Sequence, residues 1–171
     1  MTCEILVYPD SRLKKPSLDV EKFDKELHML LEDMKETMYA KDGIGLAAIQ
    51  IGVAKNVLII NIANEDGIQD LSTITEVINP QILEESGEAV YQEGCLSVPD
   101  FYEEVTRSEK IKVRYYCRDG IRQEKEYEGM MAIAFQHELD HLRGHLFVEK
   151  LSYLKRKKFE KEWKKKLKEG R

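Results

Sequence analysis

The pentapeptide His137-Glu138-Leu139-Asp140-His141 carries the strongest chemical signal in the chain. On a helix, residues four apart share a face, so both imidazoles point the same way with a carboxylate beside the first. Two neutral imidazoles are good ligands for a divalent cation, and the adjacent glutamate can act as a base toward water. The competing assignment is a pair of hydrogen-bonded core histidines. It requires His137, Glu138, Asp140 and His141 to be packed among apolar neighbours with no cation to organise them, which is costly. A catalytic site also needs a third protein ligand and an open position. The three-histidine spacing HExxHxxGxxH would put the third histidine at position 147, which is Phe147. His145 is out of step, and Glu149 and Glu160 have no supporting context. The strongest remaining candidate is Cys95, in a turn-like stretch between Gly94 and Leu96, because a thiolate is a soft ligand suited to iron or zinc.

The helix that must carry this pentapeptide starts at Gly129, and Met130, Ile133, Ala134, His137 and His141 follow its inner spacing. Gly144 suits its C-terminal cap. Near the N-terminus, the apolar run Ile5-Leu6-Val7-Tyr8 ends at the turn signal Pro9-Asp10. Asp19 is expected to cap an amphipathic helix over 20–40, with Val20, Phe23, Leu27, Leu30, Met34 and Met38 as its apolar stripe and His28 at the boundary. The segment from Gly43 to Gly52 reads as a glycine-rich connector; it has neither the Lys-Ser/Thr of a phosphate loop nor the spacing of a dinucleotide fingerprint. Gln50 is polar in an apolar run and needs a partner if buried. Strands are expected over 56–61, 73–78, 82–91, 105–107, 110–117 and 121–127, with breaks at Asn79-Pro80 and near Ser86-Gly87 and a hairpin turn at Arg118-Asp119-Gly120. A last helix is expected over 152–168, with a thin apolar face of Tyr153, Phe159, Trp163 and Leu167.

Short strands with helix-rich ends indicate an α+β fold. The 171 residues fit a single catalytic domain, residues 1–171, and 42% hydrophobic against 35% charged residues is a soluble globular composition. No apolar run approaches membrane-spanning length, and the N-terminus shows no secretory signal, so a cytoplasmic location and no membrane partner are expected. Three scattered cysteines, Cys3, Cys95 and Cys117, do not form a disulfide framework. The net charge of −5 conceals a basic tail: residues 150–171 hold 11 Lys/Arg against 3 Glu. Such a tail is attracted to phosphate, or is simply a solvated helix.

Three motifs, in order, resemble the peptide deformylase family: Gly43-Ile44-Gly45-Leu46-Ala47-Ala48-Ile49-Gln50, Glu93-Gly94-Cys95-Leu96-Ser97, and Gln136-His137-Glu138-Leu139-Asp140-His141. The N-terminal run and Phe147-Val148 are also similar, so the resemblance covers residues 4–152. It implies small mixed or antiparallel β-sheets packed around a central metal-binding helix. It implies one divalent metal held by Cys95, His137 and His141, natively Fe²⁺, with Zn²⁺ or Ni²⁺ in purified forms. Glu138 would move the proton, while the Gln50 side chain and the Leu96 N–H would stabilise the oxyanion. The substrate would be a nascent formylmethionyl peptide, extended against Gly43, Gly45 and Gly94, with its methionine among Ile44, Tyr91, Met130, Ile133 and Ala134. Arg107 would anchor the loop after Pro99 or remain a surface charge. Asp100 stands where many family members have Gly or Glu. Ribosome contact through the basic helix and a monomeric state complete the expectations. The alternatives are another HExxH amidase or peptidase, and a non-catalytic ribosome- or RNA-associated protein.

Overall fold

The computed structural model describes residues 1–169. In chain order the elements are α1 Lys25–Ala40, β1 Gly45–Ala47, β2 Val57–Ile60, β3 Thr75–Ser86, β4 Ala89–Cys95, β5 Val98–Arg107, β6 Lys110–Tyr116, β7 Arg122–Glu128, α2 Gly129–Leu142 and α3 Tyr153–Lys168. Five strands form an antiparallel sheet in the order β1-β2-β3-β6-β7, and β4 and β5 pair as a separate antiparallel hairpin. The expected α+β class with small sheets is therefore observed, and every pairing between these strands is antiparallel.

β2 shows how the layers arise. Its four residues, Val57-Leu58-Ile59-Ile60, are all apolar and all buried. Successive strand side chains point to opposite faces. Val57 and Ile59 pack with Leu27, Leu31, Met34 and Met38 of α1. Leu58 and Ile60 pack with Ala132, Phe135, Leu139 and Leu142 of α2. Ile111, Val113 and Tyr115 of β6 extend that second layer. Helix α2 thus lies with one side on the sheet, while His137 and His141 reach Glu93 and Cys95 of the β4–β5 hairpin. A third cluster seats Phe159 and Trp163 of α3 against Leu6, Val105 and Phe147. The Tyr8 ring meets Phe159 and Trp163 edge-on, with centroids 5.2 and 5.8 Å away.

Several boundaries differ from expectation. Helix α1 starts at Lys25, and Asp24 is its cap, accepting from the Leu27 N–H at 3.1 Å. Asp19 accepts from Asn56 Nδ2 instead. Val20 cannot join the helix because Asn79 occupies its backbone: the Val20 N–H donates to Asn79 Oδ1 at 2.8 Å, and its carbonyl accepts from Asn79 Nδ2 at 2.9 Å. Val20 and Phe23 still pack on the same cluster as α1, which is why the stripe looked continuous. His28 is a boundary residue, as expected, with Nε2 3.0 Å from the Arg118 carbonyl. Asn79-Pro80 does not end a strand; β3 runs through it with a register shift between Ile78 and Gln81. A bulge there accommodates a residue with no N–H to donate. Strand β5 starts at Val98 rather than near 105. In α3 the apolar face narrows to Phe159 and Trp163, because Tyr153 and Leu167 are exposed.

Phe159→Ala removes a fully buried ring and is expected to destabilise the protein by about 3–5 kcal/mol, whereas Tyr153→Ala is expected to stay within about 0.5 kcal/mol. Urea-denaturation midpoints check both; equal effects would mean that α3 is not seated through its middle.

Candidate metal centre and active site

α2 brings His137 and His141 onto one face, and the turn between β4 and β5 brings Cys95 to meet them. The two Nε2 atoms are 3.3 Å apart, and Cys95 Sγ lies 3.2 Å from His141 Nε2. All three ligand atoms fall within 4.8 Å of one another. Two nitrogens each about 2.05 Å from a tetrahedral cation would be about 3.3 Å apart, so the imidazole pair fits one small ion. The sulfur sits slightly inside the roughly 3.5 Å that a thiolate and an imidazole would keep around such an ion. His145 is exposed beside Glu149 and is not part of the cluster.

One buried network orients this cluster. His137 Nδ1 is 2.8 Å from Glu93 Oε1, an arrangement in which Nδ1–H donates and Nε2 keeps its lone pair for a metal. Glu93 is gripped by both Nε and Nη2 of Arg107, and Arg107 Nη1 donates to Asp140 Oδ2 at 2.8 Å. Arg107 is therefore neither a loop anchor after Pro99 nor a surface charge; its side chain is almost wholly buried. Burial opposes ionisation of Glu93, but His137 and Arg107 outweigh it and hold the carboxyl down at about 2. Burial also opposes a charge on His137, yet hydrogen bonds with Cys95 and Glu93 raise its pKa well above the ordinary value. His141 is pushed well below it, by burial and then by the neighbouring charge on His137. Gln136 locks α2 to the β5–β6 turn: its Nε2 donates to the Ser108 carbonyl and its Oε1 accepts from the Ser108 N–H.

Gln50 follows β1 in a short 3₁₀ turn, Ala48–Ile51, and finds the partners its burial requires. Its Oε1 accepts from the Ala47 N–H at 2.9 Å, which fixes the amide so that Nε2 faces the hairpin. Nε2 donates to Ser97 Oγ at 3.0 Å and stands 3.6 Å from Cys95 Sγ. The Ser97 N–H also donates to the sulfur, at 3.4 Å. Such bonds moderate the charge of a thiolate ligand.

Glu138 lies beside this cluster, with Oε1 3.6 Å from His137 Nε2. Its Oε2 is buried and receives no hydrogen bond from the protein. Burial pushes its carboxyl up to about 7, against the pull of His137 and Arg107. Gly45 makes room for it: a Cβ at position 45 would lie 3.1 Å from Glu138 Cγ. Both residues open onto a cleft of about 700 Å³. Gly43, Ile44, Gln50, Tyr91, Gly94, Cys95 and Leu96 line one part of it, and Met130, Ile133, Ala134 and His137 line another. Every residue expected at the metal, the reacting groups or the peptide is thus at the cleft except His141, which is fully buried behind it. The sequence reading missed Ser97, Tyr102 and the orienting role of Glu93. Glu93 and Ser97 carried a usable signal, each being two residues from Cys95, whereas Tyr102 carried none.

Comparison with known proteins gives the same reading. The sequence profile of the polypeptide deformylase family matches residues 2–157. The chain belongs to the peptide deformylase family. A peptide deformylase from Nautilia profundicola is 54% identical over 98% of this chain and 97% of its own length. The crystal structure of a peptide deformylase from Legionella pneumophila superposes with a TM-score of 0.89 at 40% identity, covering 100% of this chain and 99% of that one. A class I type b deformylase from Acinetobacter baumannii, solved with Met-Ala-Ser bound, gives a TM-score of 0.82 at 33% identity over 88% of this chain and 99% of that one. Deformylase relatives thus span both the hairpin and α2, which together bring the cluster into one place.

Arg107→Met leaves the buried Glu93 with His137 alone and the half-buried Asp140 with only Lys150. The expected loss is about 3–5 kcal/mol of stability and about 10- to 100-fold in metal affinity, measured by urea denaturation and chelator competition. Unchanged metal affinity would mean that Glu93 orients His137 without help from Arg107.

Proposed function

We propose that the chain removes the formyl group from N-formylmethionyl polypeptides by hydrolysis, releasing formate, with its 171 residues acting as one catalytic domain. Cys95, His137 and His141 would hold one divalent metal, and their mixed sulfur and nitrogen donor set suits Fe²⁺ natively and Zn²⁺ or Ni²⁺ in purified protein. A cation held there supplies Lewis acidity, lowering the pKa of water and drawing charge from a carbonyl oxygen. Because its ligands must be deprotonated, its binding competes with the proton that His137 favours.

The observation that carries the reading is a buried carboxylate with a free oxygen, beside three converging ligand atoms, at the wall of a cleft. Glu138 takes a proton from the attacking water and returns it to the departing amine. Burial raises this carboxyl and a cation beside it would draw it back down, so the two opposing influences set how readily Glu138 takes and returns the proton. Gln50 Nε2 and the Leu96 N–H donate where charge develops on the carbonyl oxygen. β1 is an edge strand, and its residue Gly45 lines the cleft with Gly43 and Gly94, so an extended peptide can add alongside. The methionine side chain then enters the pocket formed by Ile44, Met130, Ile133 and Ala134, with Tyr91 at its margin. The Met-Ala-Ser bound to the Acinetobacter relative is the deformylated form of such a substrate.

Purified anaerobically with Fe²⁺, the protein should release formate from formyl-Met-Ala-Ser. Glu138→Gln should lower kcat by about 10²- to 10⁴-fold while metal content stays unchanged. Undiminished turnover would remove Glu138 from the reaction.

The exposed lysines of α3 support a contact with ribosomal phosphate, in a protein we take to act as a cytoplasmic monomer. Lys158, Lys161 and Lys165 are exposed on α3. Truncation at Ser152 would also remove buried Phe159 and Trp163, so charge removal is the cleaner test. Replacing the three lysines by glutamine should reduce the slope of log affinity for ribosomes against log salt by about 2–3. An unchanged slope excludes this face from the contact.

A further inference from the structure

Tyr102 lies on β5, where the alternating residues Phe101, Val105 and Arg107 turn inward: Phe101 meets Phe159 edge-on with ring centroids 4.6 Å apart, and Val105 and Arg107 are buried. Tyr102 points the other way and is 63% exposed. Its ring occupies the space a side chain at position 94 would fill: a Cβ on Gly94 would lie 2.4 Å from Cε1 and 2.5 Å from Cδ1. One reading is purely structural, an aromatic ring covering a strand glycine. The position of the ring points further. It lines the cleft with Val7, Ile44 and Tyr91, each about 40% exposed, so four large apolar side chains share one concave surface continuous with the methionine pocket. Exposed apolar groups gathered on a cleft wall mark a ligand surface.

Resting on the deformylase reading, we propose that Tyr102 is a specificity-determining residue. Its ring forms an aromatic wall beyond the methionine pocket and favours apolar or aromatic side chains in the residues that follow formylmethionine. Gly94 adjoins the ligand Cys95, and an extended peptide advances about 3.3 Å per residue. A substrate laid along Gly94 therefore meets the ring within the first residues after its methionine. The contact forms and breaks no bond, so the preference should appear in KM and not in kcat.

The test uses the iron-loaded full chain and formate release from formyl-Met-Ala-Ser, formyl-Met-Phe-Ser and formyl-Met-Ala-Phe. An aromatic contact adds about 0.5–1.5 kcal/mol, so at least one phenylalanine peptide should be favoured about twofold to twelvefold in kcat/KM. In Tyr102→Ala that ratio should fall to near one, and Tyr102→Phe should restore it. A ratio unchanged in Tyr102→Ala, or the absence of any preference in the native chain, overturns the proposal. Calorimetric binding of the product peptides Met-Ala-Phe and Met-Ala-Ser repeats the comparison without turnover. A deformylase reading that failed would show no formate from any peptide, while a failed Tyr102 proposal would show turnover and binding that ignore the ring.

Discussion

The centre depends on a guanidinium with nowhere else to go. Arg107 is buried at the end of β5, and its fork is shared between Glu93 of β4 and Asp140 of α2. A buried charge without partners would cost several kcal/mol, so these three residues settle only where all three elements meet. That meeting sets Glu93 against His137 Nδ1 and leaves Nε2 directed toward Cys95 and His141. The ion pair is weak evidence for stability in itself, since a hydrophobic replacement could serve as well. Its value lies in geometry: a planar, bidentate donor fixes the carboxylate, the carboxylate fixes the ring, and the ring presents one lone pair.

Close packing of backbone completes what the network begins. Gly43 and Gly45 bring the entry to β1 against the cleft: a Cβ at 43 would lie 2.8 Å from Leu96 Cδ1, and one at 45 would press on Glu138. The apolar layers on both faces of β2 hold that strand in place, and β1 pairs with it through Gly45, Leu46 and Ala47. Core packing, carboxylate burial and the raised pKa of Glu138 are thus one consequence of one arrangement. Opening the cleft wall enough to hydrate Glu138 would return it toward an ordinary glutamate.

What could be read from the sequence followed distance along the chain. The two histidines of α2 and the carboxylate beside the first lie within five residues, and their periodicity states the geometry directly. The third candidate ligand, Cys95, 42 positions earlier, was reachable because few side chains can complete such a set. Arg107 was not, because a guanidinium at a strand end looks the same whether its partners are water or carboxylates 14 and 33 residues away. Asn79 accounts for two misplaced boundaries at once. Its side chain holds both backbone groups of Val20, which delays α1 to Asp24, and its positive φ of 53° belongs to the bulge that carries β3 through Pro80. Neither effect is visible in a local window. The thin face of α3 was overcounted for a related reason: spacing marks which residues could be buried, but the partner surface ends at Phe159 and Trp163.

The β4–β5 hairpin poses the remaining problem. A two-stranded sheet is only marginally stable in water, yet this one carries Cys95, Leu96 and Ser97 at its turn. It is held at both ends. Arg107 secures the open end to α2. At the turn, the Tyr8 N–H donates to the Ser97 carbonyl at 2.8 Å and the Leu6 N–H to the Gln50 carbonyl at 2.7 Å, so the N-terminal strap ties the turn to the residue that faces it. The Tyr8 ring is in turn packed on α3, and Lys166 Nζ reaches from α3 to the Pro99 carbonyl at 2.8 Å. Both ends of the described chain therefore close on the turn that bears Cys95. A metal-binding side chain on a free hairpin would wander by more than a tetrahedral site tolerates; here the ordering of that turn is shared with the N-terminal strap and α3, whose apolar cluster Cys95 also packs against.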